Sequence, residues 1–411
     1  MEIPKGFEVK GSTQRHALSL IYNLYGAKDA GRTYYLFMVE YLKSLGFRQS
    51  TIDPCVFYYK QLVLLMYVDD FIIAGPTIND INDAFEIISD NVDLEWKGDV
   101  CDYVGVHFER NDKSIVLSQP HLIQSIIEDL HLDRNSKSAP TPSTGNVLHA
   151  DIEGDDFDNH FNYRSVIGKL NYLEKSTRPD IGYAVHQCAR FMSNPKQSHA
   201  KAIKRIGRYL LGTMDKGLIL KPDENKSFEC FVDASFAGEW IRGNEDKAMY
   251  DPNTARSRTG YIIRYAGIPL TWASKLQQEV SLSSTEAEMI ALSAATRENI
   301  YLMRLIRDAA ENSDLHIRFN KCELHCSIFE DNISTLTMAK DFRIRPRTKH
   351  INVKYWHFLQ FMDKNKGIIS LHWISTKEQL ADIMTKALPV ELHQKFTYLI
   401  MGWEFTTTNH K

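Results

Sequence analysis

Four acidic side chains in the second half of the chain stand where a carboxylate needs a physical explanation. Asp233 lies within the strand-like run FECFVDASFAG, and Asp331 directly follows the strand candidate CSIFE. Glu288 lies on a helix candidate, and Asp382 opens another one in QLADIMTK. A buried carboxylate is costly unless a metal ion or another partner compensates its charge. Aspartates at strand ends and helix starts are also ordinary caps, so none of these residues alone identifies a site.

The helix candidate that carries Glu288 begins with a capping pattern. In the sequence SSTE, Ser283 is predicted to cap the helix, and Glu286 is predicted to return to the amide of Ser283. Glu288 falls on a different face, together with Leu292 and Ala295, and this face is predicted to pack against a sheet. Glu286 therefore has a structural role, whereas Glu288 is the candidate for chemistry.

A second acidic feature lies in the first half of the chain. Tyr67, Val68, Asp69 and Asp70 separate two apolar runs, LVLLM and FIIAG, which predict a buried hairpin with both carboxylates at its tip. Acidic residues are common at ordinary turns. Paired carboxylates also hold the divalent metals that phosphoryl transfer uses to neutralise charge.

Basic residues collect on one predicted helix, KQSHAKAIKRIGRYLLGT, in which Ile203 and Ile206 belong to the inner face. Its cations are Lys196, Lys201, Lys204, Arg205 and Arg208. Such a stripe suits a phosphate backbone, although a solvated helix face has the same pattern. Arg258 and Lys275, near the acidic residues of the second half, are further candidates for contact with a nucleic-acid backbone.

The cysteines do not predict a disulfide framework. They stand at positions 55, 101, 188, 230, 322 and 326, without regular spacing, as expected in a reducing compartment. Cys322, His325 and Cys326 could form part of a zinc site, but they lie in a strand-like run with no second pair nearby. A structural role is the preferred interpretation of these residues.

Composition predicts a folded protein of more than one domain. The chain has 411 residues, 49 basic against 52 acidic side chains and a net charge of −3. No apolar run approaches the ~20 residues of a membrane span, and the first residues lack the features of a secretion signal, so an intracellular location, cytoplasmic or nuclear, is expected without membrane contact. The net charge alone argues against nucleic-acid binding, but carboxylates gathered around metals can offset a basic surface elsewhere.

Four sections are predicted along the chain. Residues 1–132 mix helical and strand periods and end in a helix candidate at 120–132. Residues 133–160 are rich in Ser, Thr, Pro, Gly, Asp and Asn, and predict a mobile or draped polar connector. A helical segment at 161–220 follows, and residues 221–395 predict the order strand, strand, strand, helix, strand, helix, strand, helix.

The motifs along the chain resemble those of copia-type retrotransposon Pol polyproteins. The hairpin with Asp69 and Asp70 resembles a polymerase motif of reverse transcriptases, and the resemblance continues through PKGFEV, LYGAKDAGR, DPCVFYYK, YVGVHF, LSQPHL, YRSVIGKLNYLEKSTRPDIGYAV and ADIMTKALP. It implies a reverse transcriptase palm and thumb in residues 1–132 with RNA-directed DNA polymerase ancestry. In the family a further metal-binding aspartate precedes the segment matching MEIPKGF, and Asp29 stands where Gln is common. We therefore expect an incomplete polymerase site that is inactive in this chain.

The same resemblance assigns the second half to an RNase H domain. The motifs SSTEAEMIAL and QLADIMTKAL, and the order Asp233, Glu288, Asp331, Asp382, are those of the family. They imply an α/β fold with a five-stranded mixed sheet and two Mg²⁺ ions, for which Mn²⁺ could substitute, held by these four carboxylates. Asp69 and Asp70 would hold metal at the polymerase site. His372 precedes the loop in which cellular enzymes carry a histidine, and we assign it no catalytic role.

The expected architecture is thus an α+β reverse transcriptase remnant followed by an RNase H-like fold. The expected activity is Mg²⁺-dependent cleavage of RNA in RNA–DNA hybrids, with the hybrid or a template–primer as partner and other proteins of the element as further partners. The alternative is a decayed or domesticated fragment that binds nucleic acid without catalysis. The retained carboxylates of the second half favour the enzyme, whereas the departures in the first half favour the alternative for the polymerase.

Overall fold

The structure is a computed structural model, and it divides the chain into two compact units. The residues it describes are 21, 23–24, 26–133, 135–145, 147–238, 240, 252–314, 324–340, 353–362 and 367–403. The first unit comprises residues 1–98 and 304–317, and the second comprises residues 99–303 and 318–411. No helix in the described part of the chain combines the length and the apolar character that a membrane crossing requires.

The first unit contains a four-stranded antiparallel sheet in the order β1-β2-β3-β4. Its elements are α1 (Ala30–Ser44), β1 (Arg48–Gln49), β2 (Val56–Tyr59), β3 (Leu62–Tyr67), β4 (Asp70–Ala74) and α2 (Ile78–Ser89). Apolar positions of α1, such as Met38 and Leu42, pack with Phe57 and Leu64 of the sheet and with Ile88 of α2. The predicted hairpin is therefore the pair β3–β4, and the core fixes its strands.

The second unit contains two sheets and the remaining helices. Its elements are β5 (Asp102–Tyr103), β6 (Val106–Asn111), β7 (Ser114–Ser118), α3 (Pro120–Asp129), α4 (Tyr163–Ser176), α5 (Gly182–Ala189), α6 (Gln197–Leu211), β8 (Leu218–Leu220), β9 (Phe228–Ser235), β10 (Arg258–Tyr265), β11 (Ile268–Leu276), α7 (Ser284–Asn312), β12 (Cys326–Glu330), α8 (Ile333–Lys340), β13 (Ile369–Trp373), α9 (Asp382–Thr385) and α10 (Val390–Met401). Residues 304–312 of α7 belong to the first unit.

The five-stranded sheet of the second unit has the order β11-β10-β9-β12-β13. Strands β9, β10 and β11 pair antiparallel, whereas β12 runs parallel to both β9 and β13. From β9 to α9 the elements follow the predicted order of strands and helices, and the prediction of a mixed five-stranded sheet is confirmed. The other sheet is antiparallel, with β5, β6, β7 and β8 in that order.

The helices before and after residue 132, where a domain boundary was predicted, share one core, and the domain assignment stays a prediction. Helix α3 packs with α4, α5 and α6 around one core, in which Ile126 and Leu130 join Leu170 and Ile206. Because this core recruits apolar side chains from both sides of residue 132, residues 99–132 belong to the second unit. Gly207 of α6 lets this helix approach the end of α3, since a Cβ added at position 207 would lie 2.5 Å from Leu130 Cδ1.

The polar segment 133–160 is draped over the helices and is partly buried in its described residues. Phe157 is 6% exposed and belongs to the helical core, and Ala139 lies in the same core. Thr141 accepts a hydrogen bond from Arg205 Nη2 at 2.9 Å, and Asp156 accepts one from Lys196 Nζ at 2.6 Å. These contacts hold the segment against α6.

Candidate active site

The five-stranded sheet brings the strand carboxylates to one edge. Strands β9 and β12 are parallel neighbours, with Phe231 opposite Phe329. Continuing this register by two residues places Asp331 opposite Asp233. Asp233 lies near the carboxyl end of β9 and Asp331 directly follows β12, and parallel strands present these ends at the same edge. Thr376 donates a hydrogen bond to Asp331 Oδ2 at 2.7 Å and orients that side chain.

Helix α9 adds a third carboxylate to this edge. Gln379, just before the helix, donates from Nε2 to the carbonyl oxygen of Val232 at 2.8 Å and so anchors the segment to β9. Asp382 is the first residue of α9, and Thr385 in its last position donates to Asp233 Oδ2. One oxygen from each of Asp233, Asp331 and Asp382 lies within 4.8 Å of the others.

The beginning of α7 separates its two glutamates as predicted, with one difference. Ser283 Oγ accepts a hydrogen bond from the backbone N–H of Glu286 at 3.1 Å, so Ser283 caps the helix. The carboxylate of Glu286 accepts from the backbone N–H of Leu282 at 2.7 Å rather than from that of Ser283. Glu286 thus closes the helix terminus, while Glu288 points to the strand carboxylates.

Glu288 joins a second group of carboxylates, which includes a residue that the sequence interpretation missed. Oxygens of Glu288, Glu330 and Asp331 lie within 4.8 Å of one another, so Asp331 belongs to both groups. Glu330 is fully buried at the end of β12. The missed signal was the alternation in CSIFE, which places Glu330 on the same inward face as Cys326 and Ile328.

Burial and like charge shift the titration of this site. Burial raises the pKa of Asp233, and it raises the pKa of both Glu288 and Glu330 well above their ordinary values, with neighbouring carboxylates adding to the effect. Burial and the charge of Asp233 raise the pKa of Asp382 to about 7. For Lys386, burial lowers the pKa, but Asp233 and Asp382 outweigh it and the pKa lies above its ordinary value. The clustered carboxylates therefore favour a proton or another cation in the site.

The donor set fits divalent metal. Glu288 Oε2 and Glu330 Oε2 are buried and have no hydrogen-bond partner in the described part of the chain. Unpaired buried oxygens are costly unless a cation compensates them. Mg²⁺ and Mn²⁺ take hard oxygen ligands, and every donor of these two groups is a carboxylate oxygen.

The other candidate residues lie apart from these two groups. Lys275 is exposed on β11, opposite Thr259 of β10. Arg258 was predicted to contact a nucleic-acid backbone, but this must be corrected: the side chain is 2% exposed, donates to Ser274 Oγ at 3.3 Å and lies 5.4 Å from the centre of the Tyr183 ring. Its guanidinium packs inside the unit because α5 covers that part of the sheet.

The basic helix is α6, and its cations are only partly accessible. Lys201 is exposed, whereas Lys204, Arg205 and Arg208 are half-buried. Burial, followed by the charge of Arg208, lowers the pKa of Arg205, whose guanidinium holds Thr141. Among these four cations, Lys201 is therefore the most accessible to a ligand.

The hairpin β3–β4 presents Asp69 and Asp70 to solvent. Tyr67 pairs with Asp70, so Val68 and Asp69 form a two-residue turn. Val68 has φ +53°, a conformation that is rare for a β-branched residue. Within the described residues, no further carboxylate, histidine or cysteine forms a group of three with Asp69 and Asp70.

The remaining sequence candidates do not form a site in the described residues. Cys322, of the zinc alternative, lies outside them, and Cys326 is a buried residue of β12. His372 is exposed on β13, and its Nε2 lies 2.6 Å from Ser370 Oγ. His372 belongs to neither group of carboxylates.

Comparisons with known proteins agree with the resemblance seen in the motifs. A family model described as reverse transcriptase (RNA-dependent DNA polymerase) matches residues 1–143. The chain is 31% identical over 95% of its length to the retrovirus-related Pol polyprotein from transposon TNT 1-94 of Nicotiana tabacum, and covers 28% of that protein. It is 30% identical over 96% of its length to the corresponding polyprotein from transposon RE1 of Arabidopsis thaliana, and covers 26% of it.

Over most of its length the chain is similar to Pol polyproteins of copia-type retrotransposons, and residues 1–143 match the reverse transcriptase family. It spans about a quarter of the length of these relatives. The match to the reverse transcriptase family covers the hairpin with Asp69 and Asp70, but not the carboxylates of the five-stranded sheet. The family match therefore assigns no chemistry to the carboxylates of the five-stranded sheet.

Proposed function

We propose that the five-stranded sheet and its helices form an RNase H-like domain that cleaves the RNA strand of RNA–DNA hybrids with Mg²⁺ or Mn²⁺. The observation that carries this proposal is the convergence of Asp233, Glu288, Asp331 and Asp382, which are spread over 150 residues. They come from a strand, a helix, a strand end and a helix start, and two groups of ligand atoms share Asp331. Phosphodiester hydrolysis commonly uses two neighbouring metal ions.

The residues divide into two ligand sets. Asp233, Asp331 and Asp382 would hold one ion, and Glu288, Glu330 and Asp331 would hold the other. When bound, the ions supply activation of water and neutralisation of the phosphoryl oxygens. In the reaction, water adds to phosphorus, the bond from phosphorus to the 3′ oxygen breaks, and the leaving oxygen takes up a proton.

Neighbouring side chains hold these ligands in place. Thr385 fixes one oxygen of Asp233, and Thr376 fixes one oxygen of Asp331. The cap formed by Ser283 and Glu286 sets the first turn of α7, from which Glu288 projects. Such preorganisation matters because a ligand displaced by about 1 Å weakens a metal site. The exposed Lys275 and the accessible lysines of α6 are the proposed contacts to the nucleic-acid backbone.

The domain assignment along the chain is part of the proposal. Residues 1–132 would supply the palm and thumb of the reverse transcriptase, with Asp69 and Asp70 as its metal-binding carboxylates. Residues 133–160 would be the connector and residues 161–220 the helical connection. Residues 221–395 would be the RNase H domain. Template–primer or hybrid would be the nucleic-acid partner of both parts, of which the polymerase is expected to be inactive in this chain, and other proteins of the element are proposed as further partners.

The test is cleavage of a hybrid whose RNA strand carries an end label, with the same RNA single-stranded as a second substrate. We expect Mg²⁺-dependent cleavage of the hybrid alone, and its loss in Asp233→Asn and Asp382→Asn. Both variants are purified in parallel with the wild type, so that a contaminating nuclease is detected as activity that survives the substitutions. A folded wild-type chain that binds hybrid without cutting it would instead support a nucleic-acid-binding fragment without catalysis.

A further inference from the structure

Lys386 is in ion-pair contact with two of the clustered carboxylates. Its Nζ lies 2.8 Å from Asp382 Oδ1 and 4.0 Å from Asp233 Oδ2. The lysine side chain is 43% exposed, whereas the side chains of the two aspartates are 2% and 6% exposed. The ammonium group therefore reaches from the protein surface into a buried acidic site.

Hydrogen bonds to the backbone of α9 fix the position of the Lys386 main chain. Its N–H donates to the carbonyl oxygen of Asp382 at 3.1 Å, which closes the last turn of α9. Two residues earlier, the carbonyl oxygen of Met384 accepts from Ser274 Oγ at 2.5 Å. Asp382 and Lys386 stand four residues apart on this turn, a spacing at which side chains of opposite charge meet. The contact is thus built into the fold of α9.

Charge explains why a cation is needed here. Asp233, Asp331 and Asp382 bring oxygens within 4.8 Å of one another, and so do Glu288, Glu330 and Asp331. Carboxylates this close repel one another strongly when they are shielded from water. The ammonium of Lys386 contacts two of the three carboxylates that would hold one metal ion, so it and that ion would share the same ligands.

We propose that Lys386 is a built-in counter-ion that neutralises the Asp233–Asp382 pair in the absence of divalent metal and is displaced when the metal binds. The inference rests on the proposed metal site. Its consequence is that Lys386 stabilises the metal-free fold and raises the concentration of Mg²⁺ at which the site fills. The exposed stem lets the lysine withdraw toward solvent without unfolding α9.

The experiment measures thermal unfolding and Mg²⁺ binding, not activity. Lys386→Met removes the charge and keeps most of the stem, and Lys386→Arg keeps the charge. Lys226→Met is the matched control, because Lys226 precedes β9 in the same unit, is 47% exposed and pairs at 3.9 Å with Asp223, which belongs to neither group of carboxylates. Each protein is heated in EDTA and in increasing MgCl₂, and Mg²⁺ affinity is measured by calorimetry.

We expect Lys386→Met to unfold at a lower temperature than the wild type in EDTA and to gain more from Mg²⁺. Its Mg²⁺ dissociation constant should fall by up to roughly fivefold, the range expected when a partly exposed competing ion pair is removed. Lys386→Arg and Lys226→Met should bind Mg²⁺ as the wild type does. If Lys386→Met fails to fold in EDTA, Lys386→Gln takes its place.

The outcomes separate this inference from the proposed function. Unchanged or weaker Mg²⁺ binding in Lys386→Met, beside clear binding in the wild type, would overturn the counter-ion role and leave the metal site standing. Equal tightening in Lys386→Met and Lys386→Arg would also overturn it, since charge would not be the cause. A wild-type chain that binds no Mg²⁺ would remove the metal site and the inference with it.

Discussion

Gly260 on β10 faces Thr385 of α9 with no room for a side chain between them. A Cβ at position 260 would lie 2.5 Å from Thr385 Cγ2 and 3.0 Å from the carbonyl oxygen of Ala381. Gly260 is also the residue that pairs with Asp233 in the sheet. The glycine therefore lets α9 approach the sheet, and this approach sets the separation of Asp233 and Asp382.

Gly260→Ala should displace α9 and lower the free energy of unfolding by about 1–3 kcal/mol, the usual cost of overpacking. It should also weaken Mg²⁺ binding, because Asp382 moves with the helix. The matched control is Gly168→Ala on α4, where an added Cβ meets no atom within 4 Å. There, alanine should be neutral or stabilising by up to ~1 kcal/mol. Urea denaturation measures the stability of the two variants, and calorimetry measures their Mg²⁺ affinity. Equal stability of Gly260→Ala and Gly168→Ala would contradict the packing argument.

The two glutamates of α7 should respond in opposite ways to substitution by glutamine. Glu288→Gln should abolish hybrid cleavage and leave the metal-free fold at least as stable as the wild type, because it removes a buried like charge. Glu286→Gln should cost about 1 kcal/mol of stability and retain cleavage, because its carboxylate serves the helix terminus.

Cleavage assays and denaturation curves on both variants provide the check. Loss of cleavage in a folded Glu286→Gln protein, with cleavage retained in Glu288→Gln, would reverse the two assignments.

The prediction of Asp233, Glu288, Asp331 and Asp382 as one set came from the resemblance to a family, because each residue alone is also an ordinary strand or cap residue. Asp233 lies in an apolar strand run, and the capping pattern of Ser283 separates Glu286 from Glu288. Glu330 was missed because Asp331 marks the strand end more plainly, although the alternation of β12 points Glu330 inward. The alternation thus shows which side chains of β12 face inward when it is followed to the end of the strand.

Contacts between distant segments were not predictable in the same way. Arg258 looks like a surface cation in sequence, but Tyr183 from α5 lies against its guanidinium. The segment 133–160 is polar in composition, yet Phe157 enters the helical core and Thr141 accepts a hydrogen bond from Arg205. Neither the burial nor the unit boundary follows from composition, because both depend on which distant side chains meet.

The lysines of α6 should carry the salt-dependent part of hybrid binding. Lys201→Glu combined with Lys204→Glu should weaken binding and reduce the slope of log affinity against log salt, by roughly 0.9 for each phosphate that is no longer neutralised by a lysine. Arg205 is kept, because its removal would release Thr141 and perturb the fold. Fluorescence anisotropy with a labelled hybrid over a range of salt gives the slope. Lys113→Glu, on the turn between β6 and β7, is the control, and an unchanged slope in the double variant would place α6 outside the interface.

The buried His393 should make the second unit less stable as the pH falls. The side chain is 4% exposed on α10, and burial lowers its pKa below the ordinary value of 6.5. Between that lowered pKa and pH 6.5, the unfolded chain binds a proton that the folded chain does not, so the free energy of unfolding decreases on acidification. One such proton contributes at most about 1.4 kcal/mol per pH unit.

His393→Phe keeps a ring beside Tyr209 and should flatten the pH dependence of the free energy of unfolding between pH 6.5 and 5. His199, whose pKa is also lowered by burial, retains its own contribution. Urea denaturation at each pH measures the slope, with the exposed His121→Phe as the control. A slope in His393→Phe as steep as in the wild type would show that protonation of His393 does not contribute to acid destabilisation.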